Sequence, residues 1–167
     1  MWRGRREWLL KVMNFYPPFL GAGIRVKRTG SEKRRFEVRM KLTPLNQNVL
    51  GTHFGGSLYA MCDPFFVLIL MRELGPGYVV WDKAATIRFV RPGRGVVRAA
   101  FEIPPERVEE IRRAADADGR VEPEFTARVV GRDGAVVAEV GKTLYVRRRG
   151  GTGSADADAN PSPGGVA

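Results

Sequence analysis

The sequence predicts an α+β fold in which a curved antiparallel sheet of about six strands wraps around one long buried helix. Three observations lead there. Between residues 23 and 148 the apolar positions recur with a period of two, the mark of strands buried on one face. One segment, from Gly55 or Gly56 to Leu74, is apolar on nearly all sides over a helix length, so it has to be buried all round. Turn-forming residues stand between the alternating segments and favour antiparallel neighbours.

Taken in order, the basic start MWRGRREWLLKVMNF places Trp8, Leu9, Val12 and Met13 at helical spacing. That predicts a docked N-terminal helix, because a secretory leader needs a longer apolar core and a small-residue cleavage site. Gly23–Arg28 is the first strand. Arg35–Leu42, RFEVRMKL, is the second, with Phe36, Val38, Met40 and Leu42 on one face and the charges on the other. Ala85–Phe89 sets Ala85, Ile87 and Phe89 against Thr86 and Arg88. Val97–Ile103, Phe125–Val129 and Val136–Val146 complete the set. Thr29-Gly30 and Pro92-Gly93 punctuate strand pairs, and Arg132-Asp133-Gly134 joins the last two strands as a hairpin. Pro105–Ala117, PERVEEIRRAADA, reads as a short charged helix opened by its proline. Residues 1–148 therefore form one domain. Residues 149–167 are too poor in apolar side chains to offset the entropy of ordering them and read as a disordered tail.

Composition narrows the chemistry. A single cysteine, Cys62, excludes an internal disulfide and suits a reducing, cytoplasmic setting. A single histidine, His53, excludes clustered-histidine metal sites, and no zinc spacing is present, so no metal is expected. The uncharged run after Asp63 is too short to cross a bilayer, so no membrane span is expected. The net charge of +10 is uneven, with +9 carried by residues 1–41. A basic patch attracts polyanions, whether nucleic acid, anionic lipid or coenzyme A phosphates, although a merely solvated face explains it equally well. No motif for specific nucleic-acid recognition accompanies it.

Within GTHFGGSLYAMCDPFFVLIL, residues 51–70, Asp63 is the anomaly. An ionised carboxylate among such neighbours is costly unless it is paired or protonated. Asp followed by Pro is also a standard helix cap and first-turn residue, so Asp63 reads either as a cap or as a functional acid.

The spacing around it carries a resemblance. Asn48 stands six residues before Phe54, Gly55-Gly56 follow, and Asp63 comes seven after Gly56. This pattern resembles the phenylacetate-pathway branch of the hotdog acyl-CoA thioesterases, in which an Asn, a His-Gly-Gly and an Asp share that spacing. Thr86–Ile103 is similar to that family's strand–Arg-Pro–strand hairpin. The segments NFYPPFLGAGI, GTHFGGSLYAMCDPFF and VWDKAATIRFVRPGRG resemble a bacterial hotdog family described as a domain of unknown function, and the likeness covers roughly residues 8–147. One departure stands out: Phe54 replaces the motif histidine, and His53 lies one position earlier.

The resemblance implies hydrolysis of acyl-CoA or related acyl thioesters by a homodimer or homotetramer. Such a reaction needs an activated water or a carboxylate nucleophile, and donors for the developing oxyanion. Gly55 and Gly56, opening the helix, would polarise the thioester carbonyl through backbone N–H groups. Asp63 would lie about 10 Å further along the same helix, too far to serve that carbonyl. The resemblance accordingly implies that Asp63 acts on the facing subunit, at the dimer interface. Asn48 either orients the water or holds the loop, Gly55-Gly56 also fit a plain tight turn, and His53 is either a site residue or a structural loop histidine. Arg88, Arg91 and Arg94 suit coenzyme A phosphates or are simply solvated. Asp82 and Lys83 pair with each other or meet ligand. Coenzyme A enters as part of the substrate, with no separate cofactor. Cys62 has no visible base and reads as a buried structural thiol. Two alternatives remain open: a non-catalytic acyl or lipid binder on the same scaffold, and a basic nucleic-acid-binding module. A hotdog hydratase fits less well, since no paired Asp and His occur at that branch's spacing.

Overall fold

The structure is a computed structural model that describes residues 13–29 and 35–150. The helix expected around Trp8, Leu9 and Val12, and residues 151–167 of the expected tail, lie outside the described residues. The chain enters through a single 3-10 turn, Met13–Phe15, and a short helix α1, Pro17–Ala22, which opens on its prolines and closes on Gly23 in the left-handed region (φ 68°). Asn14 fastens this entry to the sheet by accepting from the Val26 N–H at 2.7 Å and donating to the Val26 carbonyl at 3.0 Å.

The alternating segments become strands β1 (Ile24–Thr29), β2 (Arg35–Lys41), β3 (Tyr78–Phe89), β4 (Val96–Phe101), β5 (Arg120–Val121), β6 (Glu124–Val130) and β7 (Val136–Arg148). They form one antiparallel sheet in the order β1-β2-β4-β6-β7-β3, with the short β5 also on β7. The hairpin at Arg132-Asp133-Gly134 forms between β6 and β7, with Gly134 at φ 79°. The hairpin expected at Pro92-Gly93 does not. β3 pairs with β7 and β4 pairs with β2 and β6, so this turn carries the chain from the edge strand across to the other half of the sheet. β3 also starts earlier than its alternation shows. A register shift between Asp82 and Ala84 inserts an extra residue, and the period of two becomes readable only beyond it.

The inner face of the sheet closes on the apolar helix. That helix is broken: α2 (Gly55–Ala60) and α3 (Phe65–Leu74) are separated by a turn at Met61–Pro64. Pro64 lacks the N–H that would bond back to Ala60, and its ring crowds that carbonyl, so the first segment stops and a second begins. Phe65, Phe66, Ile69, Leu70 and Leu74 are buried against the sheet. Phe65 stacks on Phe101 at 4.6 Å and meets Phe36 at 5.2 Å, while Phe66 stacks on Phe125 at 4.8 Å. Each such side chain contributes roughly 1.5–3 kcal/mol of burial. Helix α4 (Pro105–Asp118) buries Val108, Ile111 and Ala115 and packs against β5 and β7. Among the described residues no helix is long and apolar enough to cross a membrane.

Candidate functional site

The break at Pro64 decides how Asp63 is presented. Residue 63 lies in the turn between α2 and α3, the cap position of α3 is Pro64, and no side chain hydrogen-bonds to that helix end. The Asp63 carboxylate is therefore not a helix cap. It turns instead toward Tyr59, one turn back on α2, whose hydroxyl donates to Asp63 Oδ1 at 2.8 Å.

The group that organises the site is Lys142, on the inner face of β7, whose side chain is fully buried. Its ammonium donates to Asp82 Oδ1 at 2.8 Å, to Asp63 Oδ1 at 2.9 Å and to the Tyr59 hydroxyl at 3.2 Å. A lysine has three N–H donors, and here three acceptors meet them. Burial alone would depress the ammonium, but the hydrogen bonds to Asp82, Asp63 and Tyr59 outweigh it and raise its pKa above the ordinary lysine value. Burial raises the Asp82 carboxyl, opposed in part by Lys142, and the Tyr59 hydroxyl is raised by burial and by its bond to Asp63. Asp63 itself is 46% exposed, and both of its hydrogen bonds fall on Oδ1. Its Oδ2 is without a partner among the described residues. Lys142 and Tyr59 are absent from the expectations above. So is the pairing of Asp82, which goes to Lys142 and not to Lys83.

The loop before α2 is built separately. Asn48 accepts from the Leu50 N–H at 3.0 Å and the Thr52 N–H at 3.2 Å, and donates to Thr52 Oγ1 at 3.0 Å, so its amide is committed to holding the loop. Asn46, buried two residues earlier, ties the loop to the Ala22 and Lys41 carbonyls at 2.7 and 2.8 Å. His53 is buried, and its Nε2–H donates to the Gly95 carbonyl at 3.2 Å while its Nδ1 has no partner among the described residues. Burial lowers its pKa, offset in part by that carbonyl. No hydrogen bond joins Asn48 or His53 to Asp63 among the described residues. Gly55 and Gly56 open α2, and the first backbone donors to bond back belong to Ser57 and Leu58. The exposed Phe89 ring lies over Gly55, where an added Cβ would come within 2.8 Å of it, and Phe54 lies over Gly56.

The basic candidates are dispersed. Arg88 pairs with Glu139, Arg91 forks onto Asp133 at 2.6 and 3.0 Å, and Lys83 pairs with Glu122 at 2.6 Å. Arg94 is exposed and has no partner among the described residues. Cys62 is buried within the turn, and burial pushes its thiol up to about 12. In the folded protein Cys62 should resist iodoacetamide near about pH 8 and react only after unfolding in urea; fast labelling of the native state would contradict this burial.

No curated protein matches the chain in sequence. Solved structures do. A Pseudomonas aeruginosa protein of unknown function, described as a probable thioesterase, superimposes with a TM-score of 0.74 at 20% identity, over 85% of this chain and 95% of its own. A Haemophilus influenzae thioesterase gives 0.61 at 15% identity, over 83% and 88%. The E. coli PaaI protein of the phenylacetic acid degradation operon gives 0.56 at 17% identity, over 88% and 96%. At these identities the likeness establishes the fold, which is the hotdog fold, an antiparallel sheet around a long helix. The sequence itself matches one family model across residues 4–146, and the chain belongs to that family, DUF4442, a domain of unknown function.

Proposed function

We propose that the protein hydrolyses acyl thioesters of the acyl-CoA class, with Asp63 as the catalytic carboxylate. One observation carries the reading: Asp63, its side chain 46% exposed, is held on Oδ1 by Tyr59 and the buried Lys142 while Oδ2 has no partner among the described residues. That is the posture of a base whose orientation is fixed and whose working oxygen is free. Asp63 takes a proton from a water as the water's oxygen attacks the thioester carbonyl carbon. The tetrahedral oxyanion then collapses, the C–S bond breaks, and the thiolate of coenzyme A leaves and regains the proton, so that a carboxylic acid and a free thiol result. Backbone donors at Gly55 and Gly56 suit the oxyanion, since neither N–H bonds within the chain among the described residues.

The site is completed by a second copy. Strand β3 is a long edge strand, largely exposed from Asp82 to Thr86, and edges of this kind invite pairing. It carries Asp82 and ends at the exposed Phe89, beside the exposed Phe54 and Val90. Pairing of two such edges would bring the Asp63 of one protomer toward the Gly55-Gly56 of the other. The test is a panel of aliphatic and aryl acyl-CoA substrates, scored by release of free thiol together with the oligomeric state. Turnover of at least one class by a dimer or tetramer is expected. Absence of turnover across the panel, with ligand-dependent thermal stabilisation instead, would replace hydrolysis by acyl binding.

A further inference from the structure

The sheet has a second face, turned away from Asp63 and Lys142, and its charge is unbalanced. On β2 the buried Val38 and Met40 alternate with outward Arg39 and Lys41, and on β4 the buried Val97 and Ala99 alternate with outward Arg98. Register places Arg25 of β1 directly opposite Arg39, and Arg39 directly opposite Arg98. Three arginines thus stand side by side across three strands at about 4.8 Å per strand, a row about 10 Å long. Like charges directly opposite one another destabilise a sheet. Yet Arg25, Arg39 and Arg98 are exposed and meet no carboxylate among the described residues. The row runs along an open cleft of about 1160 Å³ that is also lined by Lys27, Arg35 and Arg128. Among the described residues Glu37 is the acid on its walls, and it is engaged by Arg35 at 3.8 Å, while Arg128 pairs with Glu139 at 3.2 Å.

We propose that this cleft binds the phosphodiester backbone of a nucleic acid, without reading its sequence. An unneutralised cationic row in a chain of net charge +10 is the electrostatic footprint of a polyanion. Among the described residues the walls carry no aromatic side chain on which a base could stack, which leaves phosphate contacts as the mode of binding. Among the described residues they also lack the Trp, Phe or Leu anchors of a membrane-surface element. The cleft lies on the opposite face from the proposed thioesterase site, so the two functions are separable.

The experiment measures binding of a labelled mixed-sequence DNA duplex over a salt series to the full chain and to two triple variants. One is Arg25→Gln/Arg39→Gln/Arg98→Gln. The other removes equal charge elsewhere, as Arg113→Gln/Arg120→Gln/Arg132→Gln. Wild type should bind with a steep salt dependence. The cleft variant should bind at least about tenfold more weakly, and its log–log salt slope should fall by about 2 to 3, roughly one for each phosphate that is no longer neutralised. Its melting temperature should stay level or rise, because a like-charge row is relieved, and its acyl-CoA turnover should be unchanged. Four results would overturn the proposal: no duplex binding by wild type; equal loss in both triple variants; binding by wild type to anionic vesicles but not to duplex; or a changed oligomeric state in the cleft variant as its sole effect.

Discussion

Asp63→Asn should abolish most thioester hydrolysis while leaving the fold intact. The amide keeps an oxygen to accept from Tyr59 and Lys142, and Lys142 retains Asp82 at 2.8 Å, so the buried ammonium stays paired. What is lost is the basicity of the free oxygen. A positioned general base contributes about 10²–10⁴-fold to rate, so kcat should fall by that factor with KM little changed. The melting temperature should move by no more than a few degrees, because the substituted carboxylate is nearly half exposed and its ion pair is screened by water. A variant that folds and turns over at the wild-type rate would remove Asp63 from the mechanism. A variant that unfolds would show instead that the carboxylate is needed for the fold.

This expectation depends on a distinction that the sequence could not make. Asp63-Pro64 fits a helix cap by local chemistry, and only the placement of the carboxylate against Lys142 and Tyr59 rejects that reading. The global fold was legible because it rests on periodicity: Phe36, Val38 and Met40 on β2, or Val97, Ala99 and Phe101 on β4, declare their inner face through alternation alone. Pairing order was not legible. Pro92-Gly93 has turn chemistry, but whether a turn closes a hairpin or a crossover depends on which strands bury each other, and that is a long-range property. Lys142 does leave a trace in the pattern. In Ala138, Val140, Lys142, Leu144 and Val146 a cation occupies one inward position of an otherwise apolar strand face. Such a violation of pattern demands an acid within reach, and Asp63, the anomaly on the helix side, was the acid available. Tyr59, four residues before Asp63, was likewise at the spacing of a helical neighbour. The basic cluster of the first 41 residues was visible as a total, whereas the row of Arg25, Arg39 and Arg98 exists only once the register aligns them.

Lys142→Met tests the other half of that pairing. Methionine matches the lysine stem in length and apolar character, so packing on β7 is largely kept and the change isolates the ammonium. Without it Asp63 and Asp82 face each other across the vacated position, and Tyr59 loses a donor. Breaking a buried ion pair from one side costs about 3–5 kcal/mol, and since both carboxylates reach water the loss here should be about 2–4 kcal/mol. The pH dependence follows from the directions of the shifts. Lys142 has a folded pKa above its unfolded value of about 10.4, so its stabilisation is complete below that value and is lost as pH rises through the folded one. Wild type and variant should therefore converge in strong alkali and differ fully at neutral pH. Asp82, already raised by burial, loses the hydrogen bond that opposes the shift. Its protonation should stabilise the variant as pH falls, narrowing the gap again on the acid side. Urea denaturation across this range measures both limbs. The double variant Lys142→Met/Asp82→Asn should recover part of the loss, because the repelling carboxylate is gone, and the non-additivity measures the coupling. Its kcat should nonetheless stay low, since Asp63 Oδ1 is then held by Tyr59 alone; the ammonium is a positioning group whose removal lowers kcat more than it changes KM. Wild-type stability in Lys142→Met would show that the two carboxylates do not depend on the lysine, and full activity in the double variant would show that its grip on Asp63 is irrelevant to the chemistry.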